Sequence, residues 1–380
     1  MKTNTPKLRF KEFTDEWQEK KLGDIIRINQ GLQIAISNRH TAKIPRSYFY
    51  ITNEFLKKGS KKQYYISNPP KSVIVTRDDL LMTRTGNTGI VVTGVEGAFH
   101  NNFFKIQRDE DQISKGFLYY FLTLMKVRNL ILRLAGTSTI PDLNHSDFYK
   151  IPINMPSIKE QRKIADFLGA VDEKIEKLEE KKKGFEKYKK GVMQAVFSQR
   201  IRFKDKNGKN YPDWEEKKLG ELLNYEQPTK YIVRSTEYSN DFDTPVLTAG
   251  KSFILGYTNE IDNIFQELPV IIFDDFTTAS QFVNFPFKVK SSAMKILKAK
   301  EKEYIRFIFE AIQKIKYEVG GHGRHWISVF ANMKIKIPSP EEQEKIAEFL
   351  TTLDDKINLI NNQLEQTKLF KKSLLQRMFA

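Results

Sequence analysis

The sequence predicts an α+β fold: two mixed α/β domains, each followed by a long helix, with the two helices packed as an antiparallel coiled coil. Three observations lead to this prediction. The chain contains an internal repeat, each copy of the repeat ends in a long heptad pattern, and strand-like and helix-like runs mix in the blocks between. Its 380 residues are enough for two domains of ordinary size.

The repeat is visible residue by residue. The segment Glu16–Asp24 returns as Asp213–Glu221, and the longer segment Pro156–Leu168 returns as Pro338–Leu350. Between these matched segments the two blocks share almost no residues. The pattern is variable–constant–variable–constant, which indicates a duplication that kept the frame and let the inserts diverge. The predicted domains are 1–156, the helix 157–200, 201–338 and the helix 339–380.

Apolar residues in both constant segments alternate at spacings of four and three, which is typical of a coiled-coil seam. Lys182, Lys189, Thr367 and Lys371 interrupt the pattern. Helices of about 40 residues are roughly 60 Å long, and we expect them to pack on each other. The alternative is two separate helices, each lying on its own domain. The predicted seam residues are Ile164, Leu168, Val171, Ile175, Leu178, Ile346, Leu350, Leu353, Ile357, Ile360 and Leu364.

The variable blocks mix both kinds of secondary structure. Predicted strands are Lys71–Thr76, Gly89–Thr93 and Leu268–Phe273. Amphipathic helices are predicted at Phe117–Leu134 and Glu303–Val319. Each block closes on a strand-like segment, Tyr149–Ile153 or Met333–Ile337.

Composition limits the function classes. The net charge of +16 favours a polyanionic partner such as nucleic acid, although an anionic membrane surface or simple solubility would also suit it. Most of the surplus lies in the variable blocks. Cysteine is absent, which excludes thiolate catalysis and cysteine-bound zinc and fits a cytoplasmic location. No apolar run approaches the roughly 20 residues of a membrane span.

Polar loops that contain glycine are the predicted sites of contact with DNA bases. Arginine matches guanine, and asparagine or glutamine matches adenine, in the major groove. An ordinary surface loop is the alternative at each position. The candidate DNA-binding residues are Gln30, Gln33, Lys43, Arg46, Arg84, Asn87, Asn101, Asn102, Thr277, Gln281, His322, Arg324 and His325.

Two motifs resemble cofactor sites but lack a necessary part. Asn68–Lys71 resembles the Asn-Pro-Pro-aromatic signature of amino-methyltransferases, yet a lysine occupies the stacking position. Thr85–Gly89 lacks the Lys-Ser/Thr ending of a phosphate-binding loop. We interpret both as turns.

Two groups of titratable residues also fall short of a catalytic site. His322 and His325 have no third or fourth metal ligand spaced nearby. Asp274 and Asp275 lack the Glu-x-Lys partner of a nuclease site. We therefore expect no catalytic residue and no metal in this chain.

The repeated motifs resemble those of specificity subunits of type I restriction–modification enzymes. The resemblance is carried by Pro6–Phe10 with Trp17, by the Lys-Leu-Gly sequence and its repeat after Trp214, and by Glu-Gln-x-x-Ile-Ala-x-Phe-Leu at Glu160 and Glu342. It covers the whole chain. In the variable blocks it is positional only, as suits domains that recognise different targets.

The resemblance implies two target-recognition domains, each contacting half of a bipartite double-stranded DNA target, on a pseudo-twofold frame of helices that sets the spacer. It also implies docking of two modification (methyltransferase) subunits and of restriction/translocase subunits. S-adenosylmethionine, ATP and Mg²⁺ would be bound by those partners, and no cofactor by this chain.

Three alternatives remain open at this point. A related multi-subunit type II restriction system uses a similar recognition subunit. A single-chain DNA methyltransferase or nuclease would need the catalytic motifs that are missing. A coiled-coil scaffold without a DNA role would show no salt-dependent DNA binding.

Overall fold

The structure, a computed structural model, describes residues 5–57, 59–136, 139–248, 252–300, 304–317 and 324–379. Its contacts divide the chain into two units. Unit 1 comprises Met1–Glu180 with Asn361–Ala380, and unit 2 comprises Lys181–Ile360. This division differs from the domain bounds predicted along the sequence, because each long helix contributes residues to both units.

In unit 1 the strands are β1 Gln18–Lys21, β2 Ile26–Gln30, β3 Ser47–Ile51, β4 Tyr65–Ser67, β5 Ile74–Val75, β6 Leu80–Thr83, β7 Val91–Val92, β8 Gly97–Phe99, β9 Phe103–Arg108 and β10 Pro152–Met155. The helices that begin in this unit are α1 Leu22–Ile25, α2 Lys115–Thr123, α3 Met125–Leu134, α4 His145–Tyr149 and α5 Ile158–Phe197. One antiparallel sheet has the order β2-β9-β6-β7. A second has the order β4-β3-β8-β5 with β3 and β8 parallel, and β1 pairs with β10.

Unit 2 repeats this topology except that its second sheet has three strands instead of four. Its strands are β11 Glu215–Lys218, β12 Leu223–Glu226, β13 Thr244–Leu247, β14 Ile254–Thr258, β15 Val270–Asp274, β16 Ser280–Val283, β17 Lys288–Val289, β18 Met294–Ala299 and β19 Lys334–Ile337. The helices that begin in it are α6 Leu219–Leu222, α7 Ile305–Ile312, α8 His325–Ser328 and α9 Pro340–Met378. The sheets have the orders β12-β18-β15-β16, β14-β13-β17 and β11-β19.

A strand buried on both faces lies inside the first sheet of each unit. Along β15, Ile271 and Phe273 belong to the core shared with the helices, whereas Val270 and Ile272 belong to the core of the second sheet. Side chains alternate along a strand, so an unbroken apolar run fills two cores at once. The same alternation occurs along β6. Because both faces of these strands are buried, the polar loop that follows each strand begins from a rigidly held residue.

The antiparallel packing predicted for the long helices is confirmed within each unit. In unit 1, Asp172 of α5 pairs with Lys371 of α9 at 2.5 Å. In unit 2, Lys189 of α5 pairs with Asp354 of α9 at 2.6 Å. Two of the three lysines that interrupt the heptads, Lys189 and Lys371, thus form ion pairs between the two long helices.

All predicted seam residues are at least half-buried, and several of them belong to cores that also contain residues of the preceding domain. Ile175, Leu178 and Ile357 are half-buried. The rest are buried: Ile164, Leu168, Val171, Ile346, Leu350, Leu353, Ile360 and Leu364.

The first turn of each long helix holds a buried carboxylate that anchors the segment preceding its domain. In unit 1, Glu160 accepts bonds from Arg9 at 2.7 and 2.8 Å, and the Trp17 indole lies 3.4 Å away. In unit 2, Arg202 and the Trp214 indole donate to Glu342 at 2.7 and 3.1 Å. The shared motifs at the two ends of each domain therefore form one contact.

The structure corrects the bounds of several predicted elements. Lys71–Val73 is a 3₁₀ turn, and only Ile74–Val75 is a strand. The strand predicted at Gly89–Thr93 is confined to Val91–Val92. The strand after β14 is confirmed as Val270–Asp274.

The helix predicted at Phe117–Leu134 is two helices, because Leu124 is extended and turns its side chain into the core. The helix predicted from Glu303 to Val319 is Ile305–Ile312, and its two predicted ends lie outside the described residues.

The closing strand of unit 2 is confirmed at Lys334–Ile337. In unit 1 the strand starts later than predicted, at Pro152, since Tyr149 ends α4 and its hydroxyl accepts a bond from the Ile28 N–H. None of the helices in the described part of the chain is long and apolar enough to cross a membrane.

We predict that Glu342→Ala lowers the free energy of unfolding by about 3 kcal/mol, because it leaves the half-buried Arg202 guanidinium without its carboxylate. Chemical denaturation of the full chain measures this change. Glu341→Ala, at the exposed neighbouring position, is the control and should change stability by less than about 0.5 kcal/mol. Equal effects of the two substitutions would contradict the anchoring role.

Candidate nucleic-acid interface

In unit 1, the loop after β6 is a tightly bonded turn. The Thr83 hydroxyl donates to the Asn87 carbonyl at 2.5 Å, and the Gly89 N–H donates to the Thr83 carbonyl at 2.8 Å. Gly86 has a φ of +82°, a conformation that side-chain-bearing residues rarely adopt. The turn therefore presents Asn87, which is exposed, from a rigid base.

Three loops meet beside this turn. The Gln30 amide donates to the Asn101 carbonyl at 3.3 Å, and the Asn101 amide donates to Gln33 at 3.1 Å. The backbone N–H of Arg84 donates to the Asn102 carbonyl at 2.7 Å. The structure thus brings together six of the candidate residues. We call this group loop cluster 1: Gln30, Gln33, Arg84, Asn87, Asn101 and Asn102.

Gly31 permits this close approach. A Cβ at this position would lie 2.3 Å from the Phe99 carbonyl oxygen and 2.4 Å from that of His100. Any side chain would push apart the two loops that carry Gln33 and Asn101.

Arg84 is held inside loop cluster 1. Its guanidinium donates to Asp142 at 2.7 Å and lies 5.5 Å from the centre of the Phe104 ring. Only 15% of its side chain is exposed. Asp142 was not among the sequence candidates, because a contact across 58 residues leaves no local signal.

Two histidines flank loop cluster 1. Burial, with Arg39 nearby, lowers the pKa of His100 to about 4. Burial and Arg84 also lower the pKa of His145. Because the folded pKa of His100 lies below its ordinary value, its neutral form contributes stability near pH 7, and this contribution is lost as pH falls from about 6.5 toward 4.

Lys43 and Arg46 lie elsewhere in unit 1. Both are exposed in the loop that leads into β3, a strand of the second sheet. Arg46 has a φ of 59°.

The equivalent turn of unit 2 follows β15. The Asp274 carboxylate accepts bonds from the Phe276 N–H at 2.9 Å and from the Thr277 hydroxyl at 2.6 Å. Thr277 is exposed on this turn, and Gln281 is exposed on β16. Phe276 on this turn is 43% exposed, and its apolar side chain is not among the candidates because those were polar or charged residues.

Arg324 and His325 lie beside that turn. The His325 N–H donates to the Asp275 carbonyl at 3.0 Å. Arg324 is exposed, whereas the His325 ring is buried, with Nδ1 at 3.3 Å from the Tyr317 hydroxyl. A buried ring is poorly placed to contact a base. His322 lies outside the described residues.

Asp274 and Asp275, the pair considered for nuclease chemistry, are both buried and both serve as hydrogen-bond acceptors for backbone N–H groups. Within the described ranges, no three His, Asp or Glu side chains are grouped so that they could bind a metal ion.

The family model of the type I restriction modification DNA specificity domain matches residues 14–186 and 211–369. The chain therefore belongs to this family. Each match covers the tryptophan and the glutamate of one anchor, one variable block and much of one long helix. The duplicated frame seen in the structure is thus the duplicated domain of the family.

Individual relatives agree. The chain is 49% identical over 133 residues to the specificity subunit of the Escherichia coli EcoR124I/EcoR124II type I restriction enzyme, an alignment that covers 33% of each protein. It is 24% identical over 422 residues to the MjaVIII specificity subunit of Methanocaldococcus jannaschii, covering 96% of this chain and 92% of the relative. The solved type I S subunit from M. genitalium has a TM-score of 0.69 at 18% identity and covers 99% of each chain, which shows a common fold.

We predict that Gly86→Ala loosens loop cluster 1. The new Cβ would lie 2.8 Å from the Asn53 amide nitrogen in a backbone conformation that alanine adopts only with strain. We expect faster amide hydrogen exchange across the turn after β6 and a loss of about 1–3 kcal/mol of stability. Gly59→Ala is the matched control, because Gly59 also has a positive φ but a Cβ there meets nothing within 4 Å. Equal changes in hydrogen exchange and stability in the two variants would contradict the close packing of the turn at Gly86.

Proposed function

We propose that this chain is the DNA-recognition subunit of a type I restriction–modification complex and that each unit contacts one half of a bipartite double-stranded target. One observation carries the proposal. The same buried anchor and the same strand order of the first sheet occur twice, yet the exposed loops that they support share almost no sequence. A frame that is kept while its loops diverge is what recognition of two unrelated half-sites requires.

The asparagine and glutamine residues of loop cluster 1 suit contact with bases. Side-chain amides offer a donor and an acceptor side by side, as adenine requires in the major groove. Because the loops are bonded to one another, little ordering is needed when DNA binds. The net charge of +16 supplies the attraction to phosphates.

We further propose that modification and restriction subunits dock on the long helices. Phe370 in unit 1 and Tyr188 in unit 2 occupy equivalent positions of the repeat, and they are 51% and 54% exposed. Exposed aromatics on otherwise charged helices are typical of protein interfaces. Two equivalent positions suit two copies of a modification subunit. S-adenosylmethionine, ATP and Mg²⁺ would be bound by those partners, and this chain would carry out no chemistry.

Exchange of residues 24–150 for the corresponding block of another family member should change one half-site and leave the other intact. The exchanged block contains all of loop cluster 1 but neither the Arg9–Glu160 anchor nor any part of unit 2. Sequencing of methylated sites in DNA from cells that express the complex measures both half-sites. A change in both would refute separate recognition.

A second prediction concerns the spacer between the half-sites. Heptads inserted after both Leu178 and Leu364 would lengthen the paired helices by about 10 Å, which equals roughly three base pairs. We expect a target with the same half-sites and a spacer about three base pairs longer. Insertion after Leu178 alone should instead mismatch the ion pairs of the seam and reduce complex assembly. An unchanged spacer with the matched insertion would show that the helices do not set it.

A further inference from the structure

The residue that directly follows β6 in unit 1 and β15 in unit 2 makes the same two backbone hydrogen bonds, and we call this arrangement the joint. The N–H of Arg84 donates to the Asn102 carbonyl, and the Arg84 carbonyl accepts from the Leu143 N–H at 3.0 Å. In unit 2, the N–H of Asp275 donates to the Ala293 carbonyl at 3.2 Å. The Asp275 carbonyl accepts from His325 at 3.0 Å, as described above. Residues 84 and 275 are therefore equivalent, and each joins the turn after the central strand to two other loops.

The strand register supports this equivalence. Thr83 pairs with Phe103 in unit 1, and Asp274 pairs with Met294 in unit 2. The next position on the neighbouring strand is Phe104 in one unit and Lys295 in the other. Each of these side chains lies against the joint residue.

The backbone hydrogen bonds of the joint are the same in both units, but the side chain that stabilises the joint has opposite charge: a cation, Arg84, in unit 1 and an anion, Asp275, in unit 2. In unit 1, the Arg84 guanidinium binds Asp142 and stacks on Phe104. In unit 2, the Asp275 carboxylate accepts from the Trp326 N–H at 2.8 Å and lies 3.5 Å from the Lys295 ammonium. Only 2% of Lys295 and 3% of Asp275 is exposed, so this pair is closed to any ligand.

We propose that Arg84 and Asp275 are positioning residues: they lock the DNA-contacting loops of their units from inside and do not contact DNA. This inference rests on the proposed function. Contact with bases comes from exposed residues on the segments that the lock joins, such as Asn87 in unit 1 and Thr277 and Arg324 in unit 2. Specificity therefore depends on an ion pair within each unit: the unit 2 pair is buried, whereas in unit 1 Arg84 is largely buried and Asp142 is half exposed.

The lock of unit 2 offers the sharper test, made on the full chain assembled with its modification subunits. The probes are a DNA duplex that carries the target sequence found by sequencing methylated sites, and two duplexes in which one or the other half-site is scrambled. Lys295→Met leaves the Asp275 carboxylate buried without a cation. We expect discrimination at the half-site of unit 2 to fall at least tenfold, with discrimination at the other half-site unchanged.

The double variant Asp275→Asn/Lys295→Met distinguishes positioning from contact. Its amide oxygen still accepts from Trp326, and no buried charge is left unbalanced, so discrimination should return to within about threefold of the wild type. If the double variant is as defective as Lys295→Met, or if Lys295→Met has no effect, the inference is wrong. Arg324→Ala should weaken binding without changing the melting temperature.

Unit 1 provides an independent arm that does not depend on the folding of the unit 2 variants. Arg84→Ala and Asp142→Ala should reduce discrimination at the other half-site by similar factors, and the double variant should be no worse than either. Additive losses would mean that Arg84 contacts DNA itself and would overturn the proposal. If the wild-type complex shows no sequence discrimination, the proposed function fails, an outcome distinct from failure of the lock.

Discussion

Two ion pairs inside the helix seam fix the register on which the rest of the protein depends. An apolar heptad seam tolerates slippage by a whole heptad, whereas Asp172 with Lys371, and Asp354 with Lys189, meet in only one register, and slippage would strand four partly buried charges. Both acids also accept a bond from their own domain. The Tyr120 hydroxyl donates to Asp172 at 2.8 Å, and Arg306 donates to Asp354. The seam thus holds the long helices to each other and, through Tyr120 and Arg306, to α2 and α7 of the two units.

Much of this frame could be predicted from the sequence, because its signals are local and repeated. The heptads predicted two helices, and the structure has them at Ile158–Phe197 and Pro340–Met378. The matched tryptophans and Glu-Gln pairs marked the ends of each domain. Their contact was not predicted, since Glu160 also suits an exposed first helical turn, where a carboxylate favours the helix dipole. Only the fold shows that it is buried beneath Arg9.

The candidate interface was predictable in part. Composition located the polar loops, and six candidates of the first block do lie together. What composition could not separate was a side chain that faces outward from one that holds its neighbours. Arg84 and His325 have residue types suited to base contacts, yet both side chains are largely buried, and Arg84 pairs with Asp142, 58 residues away. Asp142 and Lys295 matter for the same reason and give no signal of their own. Contacts between distant segments decide these roles, and a single sequence does not contain them.

The two anchors differ in how the peptide chain reaches them. The N-terminal segment packs on the end of α9, where the Leu8 N–H donates to the Arg377 carbonyl at 2.8 Å. The linker after α5 packs on the end of that helix in the same manner, because the Ile201 N–H donates to the Ala195 carbonyl at 3.2 Å. Residues 377 and 195 are equivalent in the repeat. In unit 2 a peptide chain runs directly from helix to anchor, whereas in unit 1 the helix and the anchor belong to opposite ends of the sequence. The same contact at a helix end therefore forms through a direct peptide link in unit 2 and between residues far apart in the sequence in unit 1.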